Sequence, residues 1–260
     1  LISTSRQPSY QDYHGYNMVK RPIHRISGLL STPELDELAE ESIITIVNKG
    51  EIQVRLLATP NDLLDLAYGH FLAEGRGNVL SADVEGQEIT VEGETQKRPS
   101  EDLLTAACGA CTIGDIIVPD GQIESDVTFH HDLKMTLAKM KSEQIMFHKT
   151  GGTHAAALFD GQGNLLILRE DVGRHNTVDK VIGAAHRNSL EMSVLALSGR
   201  IGWEIVAKCV RVGIPIIIAV GAVSSAAEAL ARQTGITLVG FAASKNPAVI
   251  GDLHRIIDKC

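Results

Sequence analysis

The stretch Ile214-Pro-Ile-Ile-Ile-Ala-Val220 is apolar at every position. A half-exposed strand alternates apolar and polar side chains, so an unbroken apolar run predicts a strand that is buried on both faces. Such strands are typical of largely parallel sheets that helices cover on both sides. The second half of the chain is therefore expected to form an α/β domain.

Apolar runs and amphipathic stretches alternate on either side of this segment, as the α/β prediction requires. Because the turn Asp160-Gly-Gln-Gly163 joins the first two runs, that pair is expected to be antiparallel. The other predicted strands are Ala155–Phe159, Leu165–Leu168, Val194–Leu197 and Thr237–Phe241, and the predicted helices cover about 176–187, 201–212 and 224–233.

The first half of the chain has a different pattern and predicts a smaller α+β region. We divide the chain into an N-terminal arm with little local order at 1–40, the α+β region at 41–144 and the α/β domain at 145–260. In the α+β region we expect a hairpin of Ile43–Val47 and Ile52–Leu57, a helix capped by Thr59 and closed by Gly75, a strand at 83–91, and a helix marked by Leu133, Leu137 and Met140.

Bulk composition excludes several classes of protein. The 260 residues carry a formal net charge of -8, which argues against non-specific binding to nucleic acid or to an anionic membrane. No apolar run approaches the roughly 20 residues of a membrane span, and the first residues lack the apolar core of a secretory signal. Four irregularly spaced cysteines do not form a disulfide scaffold, so we expect a cytoplasmic protein.

Three polar clusters follow predicted strands: Glu170-Asp-Val-Gly-Arg-His-Asn176, Ser198-Gly-Arg200 and Gly221-Ala-Val-Ser-Ser225. The carboxyl ends of parallel strands meet at one edge of a sheet, where helix N-termini favour anions. Any one cluster is equally explained by helix capping or by a structural ion pair. Together they predict a pocket for a phosphate-bearing ligand, which would be shaped by Arg174, His175, Asn176, Ser198, Arg200 and Ser224.

The segment Thr150-Gly-Gly-Thr-His154 is a fourth candidate for ligand contact. Gly151 and Gly152 permit close approach of the backbone, and His154 offers a donor or a proton-transfer group. A histidine beside an apolar run is, however, more often a buried polar group with internal partners.

The pair in Cys108-Gly-Ala-Cys111 suits disulfide exchange, metal ligation or the carriage of sulfur as a persulfide. A thioredoxin-like pair opens a helix in a β-α-β unit, whereas this pair precedes the α/β half. Zinc requires more ligands, and the chain has no second Cys-x-x-Cys, although His130 and His131 are formal candidates. A zinc deaminase needs His-x-Glu, but two alanines follow His154.

The ordered set of motifs resembles the FdhD family, the formate dehydrogenase accessory sulfurtransferases, over residues 40–256. The matching pieces are Thr59-Pro-Asn-Asp-Leu63, Phe71-Leu-Ala-Glu-Gly75, Cys108-Gly-Ala-Cys111, Thr150-Gly-Gly-Thr-His-Ala-Ala156, Glu170-Asp-Val-Gly-Arg-His-Asn176, Val178-Asp-Lys180, Ser198-Gly-Arg200 and Leu238-Val-Gly-Phe241.

The resemblance implies a C-terminal three-layer α/β/α domain of cytidine-deaminase-like fold, and a homodimer. It implies that sulfur passes from a cysteine desulfurase to the bis-molybdopterin guanine dinucleotide cofactor, as formate dehydrogenase requires. The persulfide would form on Cys108, with Cys111 as its partner, and no structural metal is expected. Family cofactor binding would fall on Phe241, Ala242, Ala243, Ser244, Lys245 and Asn246. A non-catalytic cofactor-binding chaperone and a thiol–disulfide oxidoreductase remain alternatives.

Overall fold

The computed structural model describes residues 18–97, 119 and 121–257. Within them the chain forms three sheets and six α-helices. The strands are β1 (Met18–Ser27), β2 (Leu30–Ala39), β3 (Ser42–Asn48), β4 (Glu51–Ala58), β5 (Gly77–Glu85), β6 (Glu88–Thr95), β7 (His154–Phe159), β8 (Leu165–Asp171), β9 (Val194–Leu197), β10 (Ile216–Ala219), β11 (Thr237–Gly240) and β12 (Ala248–Ile250). The helices are α1 (Leu63–Glu74), α2 (Leu133–Ser142), α3 (Ile145–Thr150), α4 (Arg174–Arg187), α5 (Trp203–Val212) and α6 (Ser225–Thr234).

The largest sheet has six strands in the order β12-β11-β10-β9-β7-β8. Its centre is parallel, because β9, β10 and β11 run in the same direction. β7 is antiparallel to both β8 and β9, which confirms the predicted hairpin, and β12 is antiparallel to β11. All four residues of β10 are buried, as the apolar run predicted.

Helices cover both faces of this sheet, which confirms the three-layer prediction. One core lies between the sheet and α4, α5 and α6, and includes Leu195, Ile217 and Leu238. The other core contains Ile216 and Ile218 together with Leu133, Leu137 and Met140 of α2. The boundary predicted at 144 therefore differs from the packing, because the apolar side of α2 covers the C-terminal sheet.

The N-terminal unit is a four-stranded sheet in the order β4-β3-β6-β5, with α1 packed on one face. The hairpin of β3 and β4 is confirmed. The single strand predicted at 83–91 is wrong, because residues 77–95 form the two strands of a hairpin. The predicted helix start at Thr59 is also wrong: α1 begins at Leu63, and the Thr59 hydroxyl accepts a hydrogen bond from the Val172 main chain instead.

Residues 18–39 of the predicted arm form the antiparallel hairpin of β1 and β2. The prediction of little local order is therefore wrong for this segment. Charged side chains obscured the alternation in the sequence, yet Arg25 bonds to Glu34 and Asp36 across the strands. Such cross-strand ion pairs stabilise a hairpin.

Two glycines let the N-terminal unit dock on the C-terminal domain through α1 and α4. A Cβ atom on Gly69 would overlap the main-chain oxygen of Asp179, and one on Gly183 would overlap that of Asp65. The two helix backbones are thus in direct contact. None of the helices in the described parts of the chain has the length and hydropathy that a membrane span requires.

Candidate functional site

Three loops meet at the carboxyl edge of the parallel strands and are joined by main-chain hydrogen bonds. The main-chain N–H of Gly221, which follows β10, donates a hydrogen bond to the carbonyl of Gly199, which follows β9, at 2.9 Å. Phe241, after β11, donates to Gly221 over 2.9 Å. The predicted convergence of the strand ends is therefore present, and the loops form one continuous surface.

The N-termini of α4 and α5 open onto this edge without side-chain caps. Their N-cap residues are Gly173 and Gly202. A glycine has no side chain that could accept a hydrogen bond from the main-chain N–H groups of the first helical turn. Uncapped N–H groups at a helix N-terminus attract anions through hydrogen bonding and the helix dipole. Ser224 differs, because its hydroxyl accepts a hydrogen bond from Ala227 and caps α6.

Cationic side chains lie on the segments that form this edge. Arg174 begins α4 and is half-buried, while Arg200 and Lys245 are exposed on the neighbouring loops. The edge is consequently electropositive in a chain whose formal net charge is -8. A guanidinium binds phosphate through paired N–H donors, so this charge suits a phosphorylated ligand.

His154 is the first residue of β7 and lies opposite Asp171 of β8. Burial lowers the pKa of its imidazole, and the charge of Arg174 lowers it further. A Cβ atom on Gly199 would lie 3.6 Å from the His154 ring, at ordinary van der Waals distance, so the loop after β9 passes beside the histidine. The lowered pKa favours the neutral form of His154 within the electropositive edge.

His175 has a partner that no sequence motif indicates. Its Nε2 lies 2.6 Å from a carboxylate oxygen of Glu204, in the first turn of α5. An acidic residue in a first helical turn normally indicates only a favourable dipole contact. Its location after the Ser198-Gly-Arg200 cluster was the one sequence signal that connected Glu204 to this site.

Phe241 has two features that set it apart within the predicted binding segment. Its backbone lies in the left-handed region, with φ of 50°, and the residue is 51% exposed. A bulky residue in this backbone region is unusual and costs energy, and an exposed aromatic ring on the same edge as the cationic residues suits a planar base. Ala242, in contrast, is 1% exposed in the core, so a role for its side chain in ligand contact is not supported. The residues from Ala243 to Asn246 are exposed.

Asp171 is a buried hub that connects the N-terminal unit to the α4 end of the site. Its carboxylate accepts hydrogen bonds from the main-chain N–H groups of Thr59, at 3.0 Å, and of Gly173, at 2.7 Å. It also accepts from the Asn176 amide over 2.9 Å and from Lys180 Nζ over 2.7 Å. The hub holds the turn that presents Arg174 and His175.

Besides His175 and Ser224, two more of the predicted pocket residues have their side chains engaged within the protein. The Asn176 amide donates to Leu57 as well as to Asp171. The Ser198 hydroxyl accepts from the main chain of Ala155 over 2.9 Å. These residues hold the strand ends together, and their side chains are structural in this arrangement.

The glycines at 151 and 152 follow α3 and are exposed, with Gly151 as its left-handed C-cap. Glu170 holds this region, because its carboxylate accepts from the Met146 and Phe147 main chains and from the Thr153 hydroxyl. Burial raises the pKa of Glu170, and these hydrogen bonds oppose that shift. The segment before His154 is therefore fixed to the end of β8.

Cys108 and Cys111 lie outside the described residues. Cys209 is buried on α5, and burial raises the pKa of its thiol, so it is a poor nucleophile.

Within the described ranges, one group of side chains has the spacing for a metal, namely His70, Glu74 and Asp179. The Lys208 ammonium already bonds both carboxylates over 2.6 Å, and this cation makes the cluster a structural charge network.

Comparisons with known proteins give this chain relatives over most of its length. The model of the FdhD/NarQ family matches residues 39–257. The sulfur carrier protein FdhD of Thermoplasma acidophilum is 36% identical over 256 residues, which cover 90% of each chain. The protein of the same name from Bordetella bronchiseptica is 32% identical and covers 88% of this chain and 90% of its own.

The fold has a counterpart among solved structures. A crystal structure of a candidate formate dehydrogenase accessory protein from Desulfotalea psychrophila aligns with a TM-score of 0.77, at 23% identity, over 92% of this chain and 99% of that one. The likeness supports the fold described above. From the extent of the family match and the identity to its curated members, the chain belongs to the FdhD/NarQ family.

Proposed function

We propose that the protein is a sulfurtransferase that carries sulfur as a persulfide from a cysteine desulfurase to bis-molybdopterin guanine dinucleotide, for formate dehydrogenase. The observation that carries the proposal is the electropositive carboxyl edge with its exposed aromatic ring at Phe241. Curated relatives carry the name sulfur carrier protein. In this reaction the molybdenum cofactor is the sulfur acceptor, and hence a substrate.

The guanine dinucleotide would bind along the edge by its phosphates and one base. Arg174, Arg200 and Lys245 supply cationic donors, and the uncapped ends of α4 and α5 supply main-chain donors. Phe241 offers a face on which a purine stacks. A substrate with phosphate groups and a planar base fits this donor set.

The sulfur steps would use the two thiols in sequence. The Cys108 thiolate attacks the terminal sulfur of the desulfurase persulfide, and the desulfurase cysteine leaves as a thiolate. The Cys111 thiolate then attacks Cys108 Sγ, which forms a disulfide between them and expels sulfide towards molybdenum. A cellular thiol reductant returns both cysteines to thiols, so that atoms and electrons balance.

The proposal includes a homodimer in the cytoplasm, with contacts to a cysteine desulfurase and to the catalytic subunit of formate dehydrogenase. The electropositive edge is the surface on which the cofactor would be exchanged with the dehydrogenase. Relatives over most of the chain share the sulfur carrier name, and this supports the functional part of the proposal.

Mass spectrometry tests the sulfur step. The protein is incubated with a cysteine desulfurase and cysteine, and the peptide containing both thiols is expected to gain one sulfur. Cys108→Ala should abolish that gain, whereas Cys260→Ser, the control, should retain it. If Cys108→Ala still activates formate dehydrogenase fully, the protein is a cofactor-binding chaperone and not a sulfur carrier.

Calorimetry with GDP tests the binding step. Arg174→Gln and Arg200→Gln should each raise the dissociation constant about tenfold, since a hydrogen bond to a charged group contributes roughly 1.5–3 kcal/mol. Arg232→Gln is the matched control, because this exposed arginine pairs with Glu228 and lies in the last turn of α6, away from the edge. Unchanged affinity in both test variants would refute the assignment of the site.

A further inference from the structure

Helices α4 and α5 are joined by two polar pairs of side chains that match in register. In the outer pair, His175 Nε2 lies 2.6 Å from a carboxylate oxygen of Glu204. In the inner pair, Lys208 Nζ lies 2.6 Å from a carboxylate oxygen of Asp179. His175 and Glu204 are each the second residue of their helix, and Asp179 and Lys208 each follow four residues later, about one helical turn. The two helices therefore run in the same direction with their N-termini side by side.

The inner pair is buried and fixed. The side chains of Asp179 and Lys208 are each 3% exposed, and Glu74 of α1 accepts a further hydrogen bond from Lys208 at 2.6 Å. Burial disfavours the charge of Lys208, but the carboxylates of Asp179 and Glu74 outweigh burial and raise its pKa, so the ammonium stays charged. Separation of this pair would leave buried charges uncompensated. The inner pair thus anchors both helices one turn behind their N-termini.

The outer pair lies where the ligand is expected. The side chains of His175 and Glu204 are 13% and 24% exposed, so solvent reaches both. Burial lowers the pKa of His154, and the charges of Arg174 and His175 lower it further. His175 therefore belongs to the group of side chains at the electropositive edge, and Glu204 reaches it from the α5 end.

The charge of Glu204 opposes the binding of an anion at this edge. An acidic residue in the first turn stabilises its own helix, but it also repels a phosphate that binds at the same helix end. The α5 end is uncapped, and a Cβ atom on Gly202 would meet no atom of the described chain within 4 Å, so the space in front of it is open. The bond to His175 gives Glu204 a role at this open end that its charge alone does not.

We propose that Glu204 is a positioning residue for phosphate binding. It orients His175 and holds the first turns of α4 and α5 together, so that one phosphorylated ligand contacts both helix ends. This inference rests on the binding edge in the proposed function and assigns a role to a residue outside the predicted pocket. Glu204 acts through His175 and the main-chain donors, not by contact with the ligand.

Calorimetry with GDP on Glu204→Ala tests the sign of the effect. If the carboxylate acted only through its charge, its removal would tighten GDP binding, because a negative charge near the phosphates is lost. Positioning predicts the opposite, and Glu204→Ala should raise the dissociation constant about five- to tenfold. Glu204→Gln loses the charge but keeps an oxygen that accepts from His175, so its dissociation constant should stay within about twofold of wild type or fall below it.

Glu228→Ala is the matched control. Glu228 also lies in the first turn of a helix at this edge, but its partner Arg232 belongs to the same helix, so the pair joins no two elements. This variant loses the same charge and should not raise the dissociation constant for GDP.

A double-mutant cycle shows whether Glu204 acts through His175. His175→Ala should weaken GDP binding by itself. In the His175→Ala background the bond is already absent, so the further change Glu204→Ala should cause no additional rise in the dissociation constant. Melting temperatures are measured for every variant, and titrations are made where each one is folded, so that a loss of affinity is separated from a loss of fold.

Unchanged or tighter GDP binding by Glu204→Ala, equal weakening by Glu204→Gln, or additive losses in the cycle would each overturn the proposal. If Arg174→Gln weakens GDP binding and Glu204→Ala does not, the edge binds nucleotide without this positioning role. If the wild-type protein does not bind GDP, the binding edge fails and this inference fails with it. Sulfur loading at Cys108 is measured without nucleotide, so its outcome is independent of both.

Discussion

Replacement of Lys180 by methionine should destabilise the protein strongly and weaken the anion site. Lys180 has no exposed surface, and its ammonium donates to the Thr59 carbonyl, to Asn61 Oδ1 and to Asp171 at 2.7–3.0 Å. Methionine fills nearly the same volume, so the loss is mainly electrostatic. Removing one partner of a buried ion pair costs about 3–5 kcal/mol, because the other charge is left uncompensated.

Part of this cost is offset in the variant. The Asp171 carboxylate keeps its hydrogen bonds from the Thr59 and Gly173 main chains and from Asn176. We therefore expect a loss near the lower end of the range, about 3 kcal/mol. With a urea m-value of about 2–3 kcal/mol per molar, the unfolding midpoint should fall by about 1–1.5 M. Lys139→Met, at an exposed surface pair, should change stability by less than about 0.5 kcal/mol.

A double-mutant cycle provides the decisive comparison. Asp171→Asn combined with Lys180→Met removes both charges, and it should lose less stability than the sum of the single variants by about 1–3 kcal/mol. GDP affinity should fall together with stability, because the hub holds the turn that presents Arg174. A loss below about 1 kcal/mol for Lys180→Met, or strict additivity in the cycle, would refute the hub as the link between the two units.

Three further predictions follow from single positions. Gly69→Ala should lower the melting temperature, because the new Cβ would overlap the Asp179 main chain. This cost outweighs the gain of about 1 kcal/mol in helix propensity. A rise in melting temperature would contradict direct backbone contact between α1 and α4. The pKa of His154 is lower in the folded state than in the unfolded state, so its contribution to stability is present above the unfolded pKa of about 6.5 and is lost as the pH falls. Thermal melts from pH 8 to pH 5 should therefore show a steeper decline for wild type than for His154→Gln, and parallel curves would exclude this coupling. Cys209 should resist iodoacetamide in native protein and react in urea, because it is buried and burial raises the pKa of its thiol. Peptide mass spectrometry measures the alkylation, and alkylation of native protein would place this thiol at the surface.

The sequence predicted the C-terminal domain well because buried parallel strands leave a strong pattern. Val194–Leu197 was predicted with the bounds that the structure has, and the run at Ile214–Val220 contains β10. The polar clusters after these strands were located at the sheet edge for the same reason. Errors arose where contacts distant in sequence decide local structure: Thr59 was read as a helix cap, but its hydroxyl and main chain bond to residues 171 and 172.

The apolar runs, the cysteine pair and the order of the motifs, which are properties of the sequence alone, determined the α/β class and indicated the FdhD family. The tertiary structure decided which polar groups remain for a ligand. Asn176, Ser198 and Ser224 have hydrogen-bonding partners within the protein, whereas Arg200 and Phe241 are exposed at the same edge. The physical reason is that a sequence lists donors and acceptors, but only the folded chain determines which of them are already paired with one another.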